Sequence, residues 1–194
     1  AEFFAEQVKA LPTEALPLAE GQSVDELVAT LSPVIFDPAV MAKRVNQAQG
    51  QDLILTSANN LYEGITQQEV EAYYNKLKDP KDQTPISYGL NTKLVKIDGK
   101  VVELPYKAGG LYGEAIEKIV YWLKKAEEVA ENDAQKAHIG KLISFYETGD
   151  LKTFDEYSIL WAQDTISQVD FVNGFIESYG DPLGMKGAWE SLVN

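Results

Sequence analysis

The segment Gly174–Gly184 contains the side chains whose types and spacing best suit ligand binding. It combines acidic and aromatic residues with three glycines in eleven residues, a mixture that a purely structural segment rarely needs. Glu177 could accept a hydrogen bond from a ligand to which Tyr179 donates one. In an extended segment these two side chains would point to the same face, whereas in a helix they would diverge. The alternative is that Glu177 is a solvated surface acid and Tyr179 a partly buried packing residue.

A pair of carboxylates could instead hydrolyse glycosides, because that reaction uses two acids about 5 to 9.5 Å apart. Glu177 with Asp181, or Glu127 with Glu131, could reach such a separation. Since the chain has 30 acidic residues, pairs of this kind are expected by chance on any solvated face. The pattern is therefore weak evidence for a glycosidase.

Metal and phosphate sites find little support in the sequence. His138, the only histidine, has no neighbours at metal-ligand spacing, so we predict a plain helical residue rather than a ligand or general base. Because cysteine is absent, thiolate zinc sites and cysteine nucleophiles are excluded. Gly109 and Gly110 precede a predicted helix, whose amino end could bind an anion. Since neither a dinucleotide nor a P-loop spacing follows, they predict a simple turn into that helix.

The composition argues against two classes of partner. The net charge is -13 and Arg44 is the only arginine, so we expect no nucleic-acid partner. An acidic surface could favour a cationic ligand such as a peptide amino terminus, although solvated acidic faces are the simpler explanation. No apolar run approaches the ~18 residues of a spanning helix, so we expect no membrane partner. We expect a soluble protein, cytoplasmic or periplasmic, and, since the chain does not begin with Met, an excerpt of a longer one.

The elements that must position these residues are mostly helices. Ser23, Thr66 and Thr153 are each followed three residues later by glutamate. This is the capping-box spacing, which satisfies two backbone donors at a helix start, so we predict that a helix begins after each of the three. Asp37 before Pro38 predicts a further helix start, because proline at the first helical position loses no hydrogen bond.

Two longer helices are predicted between residues 113 and 149 by apolar side chains at helical spacing. A tight Asp98–Gly99 turn between two apolar runs predicts a β-hairpin at about residues 92–105. Leu53–Thr56 is a candidate for a further short strand. We therefore predict an α+β fold that is mainly α: one helical unit over residues 1–194 that carries a small β-hairpin or sheet.

Four separated motifs, taken together and in this order, resemble the bacterial dipeptidyl peptidase III family of zinc aminopeptidases. They are Ser87–Asn91 before the hairpin, Gly109–Tyr112 with the helix after it, Trp161–Asp164, and above all Gly174–Gly184. Members of this family have two lobes separated by a wide cleft and release dipeptides from the amino terminus of peptides. Their zinc is bound on the upper lobe by a His-Glu-x-x-Gly-His type motif and a later Glu.

The resemblance implies that this chain is a lower-lobe fragment of a two-lobed metallopeptidase and supplies the floor of the substrate cleft. No zinc motif occurs in the sequence, so the zinc would belong to the parent enzyme, none would be bound by this chain, and the chain alone would be inactive. Its partners would be a peptide substrate and the remaining lobe.

The resemblance also implies roles for three residues. Glu177 matches the acid that receives the free amino terminus of the substrate. Tyr179 matches a catalytic tyrosine that hydrogen-bonds the peptide near the scissile carbonyl, where it can donate to the oxygen charge that develops during attack. Trp161 matches a tryptophan that lines the cleft and offers a rigid apolar wall.

Two other functions remain open at the level of sequence. The chain could be a non-catalytic helical module that binds peptides or a partner protein through the same acidic and aromatic surface. It could also be a carboxylate-pair hydrolase that is complete in itself, which would require glycosidase turnover by this chain alone.

Overall fold

The computed structural model describes residues 1–37, 39–41 and 43–194 and shows a mainly α fold with two small sheets. The predicted α+β class is therefore confirmed. The helices of the described residues are α1 (Glu2–Ala10), α2 (Val24–Phe36), α3 (Gln67–Leu77), α4 (Gly113–Glu128), α5 (Asp133–Thr148) and α6 (Leu151–Gln163), with a 3-10 turn at Thr13–Ala15. The strands are β1 (Tyr62–Glu63), β2 (Thr92–Ile97), β3 (Lys100–Pro105), β4 (Phe171–Glu177) and β5 (Ala188–Val193).

The predicted hairpin is confirmed as the β2–β3 pair, whose register ends with Ile97 opposite Lys100. The turn residues Asp98 and Gly99 have φ values of 49° and 77°, the left-handed conformation that a two-residue hairpin turn requires at both positions. β1 adds to the other edge of β2 in parallel. The glycine pair before α4 forms the predicted turn, because Gly110 donates its amide to the carbonyl of Lys107.

A second sheet, which the sequence analysis missed, pairs β4 with β5 in antiparallel orientation. Its register shifts between Phe175 and Glu177. The strand predicted at Leu53–Thr56 is wrong, because these residues form a turn. The cause is Asp52, whose Oδ1 accepts hydrogen bonds from the amides of Ile54 and Leu55 and so competes with an extended ladder.

The capping boxes that begin α2 at Ser23 and α3 at Thr66 are confirmed. The start predicted at Thr153 is wrong, because α6 begins three residues earlier and its N-cap is Asp150. The carboxylate of Asp150 accepts from the amides of Lys152 and Thr153, and the Thr153 hydroxyl itself donates to it. The start predicted at Asp37–Pro38 cannot be assigned, since Pro38 lies outside the described residues.

The buried side chains form two clusters. One joins α4, α5 and α6 with Phe175 of β4. The other joins α3 with the three-stranded sheet and includes Tyr62, Tyr74 and Leu94. Residues 178–187 connect the two clusters, because they follow Phe175 along the chain while Met185 packs on the second cluster. In the part of the chain that the structure describes, no helix has the length and apolar character that a membrane span requires.

Candidate functional site

An open cavity of about 1000 Å³ brings Glu177 and Tyr179 together. Residues 177–179 and 181–184 form one wall of this cavity, and residues 43 and 45–48 form the other. Glu177 is exposed at the end of β4, and Tyr179 is 73% exposed in the turn that follows. The two side chains that the sequence analysis selected therefore line one cavity, although Tyr179 lies in a turn and not in the extended segment that the prediction assumed.

The turn after β4 is a compact loop that contains two backbone hydrogen bonds. The amide of Asp181 donates to the carbonyl of Ser178, and the amide of Gly184 donates to the carbonyl of Asp181, both at 3.0 Å. Gly184 has a φ of 65°, which favours glycine over residues with a side chain. We call residues 178–187 the recognition loop.

The buried carboxylate of Asp181 organises the recognition loop. Its Oδ2 accepts hydrogen bonds from the hydroxyl of Tyr62 at 2.8 Å and from the amides of Met185 and Lys186 at 2.9 Å, while Oδ1 accepts from the amide of Leu183 at 3.1 Å. The side chain is only 2% exposed. Four donors thus occupy this carboxylate, so it does not serve as the acid–base partner of Glu177 that a glycosidase would need.

Lys186 connects the recognition loop to the hairpin sheet from inside the protein. Its ammonium donates to the hydroxyls of Tyr74 at 2.8 Å and Thr92 at 3.0 Å and to the carbonyl of Gly89 at 3.3 Å. Burial lowers the pKa of Lys186 to about 8, and the charges of Glu103 and Asp181 offset part of this effect. Burial also raises the pKa of Tyr74, which donates in turn to Glu103 at 2.7 Å.

The same ammonium lies over two tyrosine rings. Its Nζ is 5.2 Å from the ring centroid of Tyr62 and 5.3 Å from that of Tyr74, within the range of a cation–π contact. Burial, and then the neighbouring Asp181 carboxylate, raise the pKa of Tyr62. The sequence analysis missed Lys186 and these tyrosines, because no local spacing connects residues more than a hundred positions apart.

Trp161 lies in a different cavity, of about 530 Å³, which also contacts Phe175 and Ile176 of β4. Its indole N–H donates to the carboxylate of Asp170 at 2.8 Å, which fixes the ring at the carboxyl end of α6. The structure therefore brings Glu177 and Tyr179 together but places Trp161 outside their cavity.

His138 belongs to the helical core rather than to an open site. It is 2% exposed, and its Nε2 lies 3.4 Å from a carboxylate oxygen of Asp164. Burial lowers the pKa of His138 against the opposing effect of Asp164. Among residues 1–37, 39–41 and 43–194, no three His, Cys, Asp or Glu side chains are grouped so that they could bind a metal ion.

Comparison with known proteins identifies a family match that includes residues 177–179 and 181–184 of the cavity wall but not residues 43 and 45–48. The profile of peptidase family M49 matches residues 82–194. Human dipeptidyl peptidase 3 is 34% identical over 84 residues, which are 43% of this chain and 11% of the human protein. Dipeptidyl peptidase 3 of Dictyostelium discoideum is 31% identical over 99 residues, which are 51% of this chain and 14% of that protein. The match thus spans a small part of the curated relatives.

Two solved structures have a similar fold. DPP III from Caldithrix abyssi covers 99% of this chain with a TM-score of 0.55 at 22% identity, and the match takes up 34% of that chain. Dipeptidyl-peptidase III from Corallococcus sp. strain EGB covers 69% of this chain with a TM-score of 0.53 at 23% identity, and the match takes up 24% of that chain. At these identities the likeness concerns the fold.

Proposed function

Because the chain belongs to peptidase family M49, we propose that it is the substrate-binding part of a dipeptidyl peptidase, an enzyme that removes dipeptides from the amino terminus of peptides. The matched residues make up only 11% and 14% of the length of the human and Dictyostelium relatives. The proposal therefore assigns the remainder of the active site to another part of a two-lobed enzyme, and it assigns to this chain the floor of the cleft.

One observation carries the proposal: Glu177 at the end of β4 and Tyr179 on the loop that follows line a single open cavity, and buried charges hold this loop in place. An exopeptidase must recognise the charged end of its substrate, and a carboxylate binds an ammonium through charge-assisted hydrogen bonds. Glu177 is the exposed carboxylate of the loop wall, whereas Asp181 is buried and occupied. Glu177 is thus the residue that we assign to the amino terminus of the peptide.

Tyr179 supplies a hydrogen-bond donor two positions from this carboxylate. Within the described residues its hydroxyl makes no hydrogen bond, and the side chain is 73% exposed, so the donor is available to a ligand. We assign it to the substrate carbonyl that is attacked, because a phenol can donate to the negative charge that develops on that oxygen. Trp161, in the separate cavity that Phe175 and Ile176 of β4 also line, is assigned to an apolar side chain of the peptide.

The side chains that the structure describes do not fit a zinc site. The described residues contain no group of three potential ligands, and the only histidine is a core residue beside Asp164. The proposal therefore assigns the zinc of the parent enzyme to other residues. This chain binds and orients the peptide, and by itself it is expected to hydrolyse none.

The test is Glu177→Gln in the full-length enzyme. Because glutamine keeps the shape but removes the charge, we expect kcat/KM for a peptide with a free amino terminus to fall about 10- to 100-fold, the loss typical of a charged hydrogen bond. Glu117→Gln, which changes an exposed acid on α4, is the matched control and should leave kcat/KM unchanged.

Peptides with an acetylated amino terminus sharpen this test. The wild-type enzyme should discriminate against them strongly, whereas Glu177→Gln should lose most of this discrimination. Equal kcat/KM values for wild type and variant would show that Glu177 does not bind the amino terminus of the peptide. A full-length protein that binds peptides but releases no dipeptide would instead favour the non-catalytic binding module.

A further inference from the structure

The only arginine of the chain, Arg44, has its guanidinium group against Gly180 of the recognition loop. A Cβ atom at Gly180 would stand 3.0 Å from Nη2, 3.5 Å from Cζ and 3.7 Å from Nε of Arg44. Gly180 is buried and has no positive φ, so the backbone conformation does not explain the glycine. Its missing side chain instead leaves the space in which the guanidinium lies.

Arg44 and Gly180 line a second cavity, of about 560 Å³, together with residues 58–61 and 186–188. This cavity adjoins the one that contains Glu177. The chain neighbours of Arg44, Lys43 and Val45, line the Glu177 cavity, and so do both neighbours of Gly180. The contact between Arg44 and Gly180 therefore lies on the boundary between the two cavities.

The guanidinium is available for an anionic ligand. Among the described residues, no carboxylate lies within 4.0 Å of it and no hydrogen bond from it is present, whereas six lysines of the chain form ion pairs. Only the backbone carbonyl of Arg44 is bound, by the side-chain amide of Asn59 at 3.3 Å. A planar guanidinium matches a carboxylate through two parallel hydrogen bonds, which a lysine ammonium cannot reproduce.

We propose that Arg44 binds the free carboxyl terminus of a short peptide and is a specificity-determining residue of this site. The proposal rests on the proposed function, in which Glu177 holds the amino terminus of the same peptide. A peptide carries opposite charges at its two ends, which are complementary to the Glu177 carboxylate in one cavity and to the Arg44 guanidinium in the other; Lys43 also lines the Glu177 cavity. A substrate short enough to lie in both cavities is held at both ends, while a longer one is held only by its amino terminus.

The experiment compares Arg44→Gln with wild type in the full-length enzyme. The probes are peptides of four to eight residues. Each peptide is tested in two forms, with a free carboxyl terminus and as the carboxyl-terminal amide. At the length with the lowest wild-type KM, we expect Arg44→Gln to raise KM for the free acid about tenfold, the typical loss of one charged hydrogen bond. KM for the amide should stay unchanged, which also shows that the variant is folded.

Two further variants separate geometry from charge. Gly180→Ala keeps the charge of Arg44 but places a Cβ atom 3.0 Å from its Nη2, so it should raise KM for the free acid several-fold and leave the amide unaffected. Lys136→Gln removes one exposed positive charge from α5 and should change neither value.

The outcomes distinguish this proposal from the function on which it rests. If wild type releases dipeptides and Arg44→Gln leaves the KM of every free acid unchanged, or raises KM equally for acid and amide, then Arg44 does not bind the carboxyl terminus. If wild type releases no dipeptide from any peptide of the series, the proposed function itself fails.

Discussion

Replacement of Lys186 by methionine should change how stability depends on pH. The side chain is 1% exposed, and burial lowers its pKa from 10.5 to about 8. In the unfolded chain this lysine keeps its proton up to the ordinary pKa, whereas in the folded protein it loses the proton at lower pH. Between these two values the unfolded state binds more protons, so the free energy of unfolding rises with pH.

The size of this effect follows from the two pKa values. At pH 7 the lysine is protonated in both states. The two states then bind the same number of protons, so the contribution of Lys186 to the free energy of unfolding is almost independent of pH there. At pH 9.5 it is largely neutral in the folded state and largely charged in the unfolded state, which stabilises the wild type by about 2 kcal/mol relative to pH 7. Methionine, which fills a similar volume without a titrating group, should not show this gain.

The assay is urea denaturation of wild type and Lys186→Met at pH 7, 8, 9 and 9.5, followed by tryptophan fluorescence. The comparison stops below pH 10, because burial raises the pKa of Tyr62 and Tyr74 and thereby makes the stability fall as pH rises through the ordinary range of tyrosine. Lys136→Met, at an exposed position of α5, should follow the wild-type curve. If the free energy of unfolding changes with pH in the same way for wild type and Lys186→Met from pH 7 to 9.5, the lowered pKa of Lys186 is refuted.

Two further predictions concern the site and the fold. In the full-length enzyme, Tyr179→Phe should lower kcat about 100-fold with little change in KM, because it removes a donor to the charge that develops during attack; an unchanged kcat would exclude Tyr179 as that donor. In this chain, Asp150→Ala should lower the free energy of unfolding by about 1 kcal/mol, the usual cost of a lost helix N-cap, and Thr153→Ala by clearly less. Urea denaturation measures the loss of stability in both variants. A larger loss for Thr153→Ala than for Asp150→Ala would show that Thr153 is the N-cap.

The elements that the sequence predicts are those that local interactions specify. The β2–β3 hairpin depends on two adjacent turn residues, Asp98 and Gly99, and the starts of α2 and α3 depend on partners three residues apart. The start of α6 was predicted wrongly because two candidate caps lie three residues apart, and the helix begins at the earlier one, where the carboxylate of Asp150 accepts from the amides of Lys152 and Thr153. Spacing alone does not rank such competitors.

The candidate site is predicted only in part, for the same reason. The sequence predicts the pairing of Glu177 with Tyr179 from an extended chain; the structure places both in one cavity, but with Tyr179 in a turn. The residues that hold their loop could not be predicted, because Asp181 and Lys186 are acid and base side chains that sequence patterns assign to the surface. Their burial depends on tyrosines that only the folded structure brings near them.

The hydrogen bonds of the recognition loop also set an order for assembly during synthesis. Asp181 follows Tyr62 by 119 residues, and Lys186 follows Tyr74 by 112. A ribosome that adds about 5 to 20 residues per second completes the two tyrosines roughly 6 to 24 seconds before their partners. During this interval the sheet and α3 lack the charged residues that close their buried face, so this part of the core can close only after residue 186 has been made.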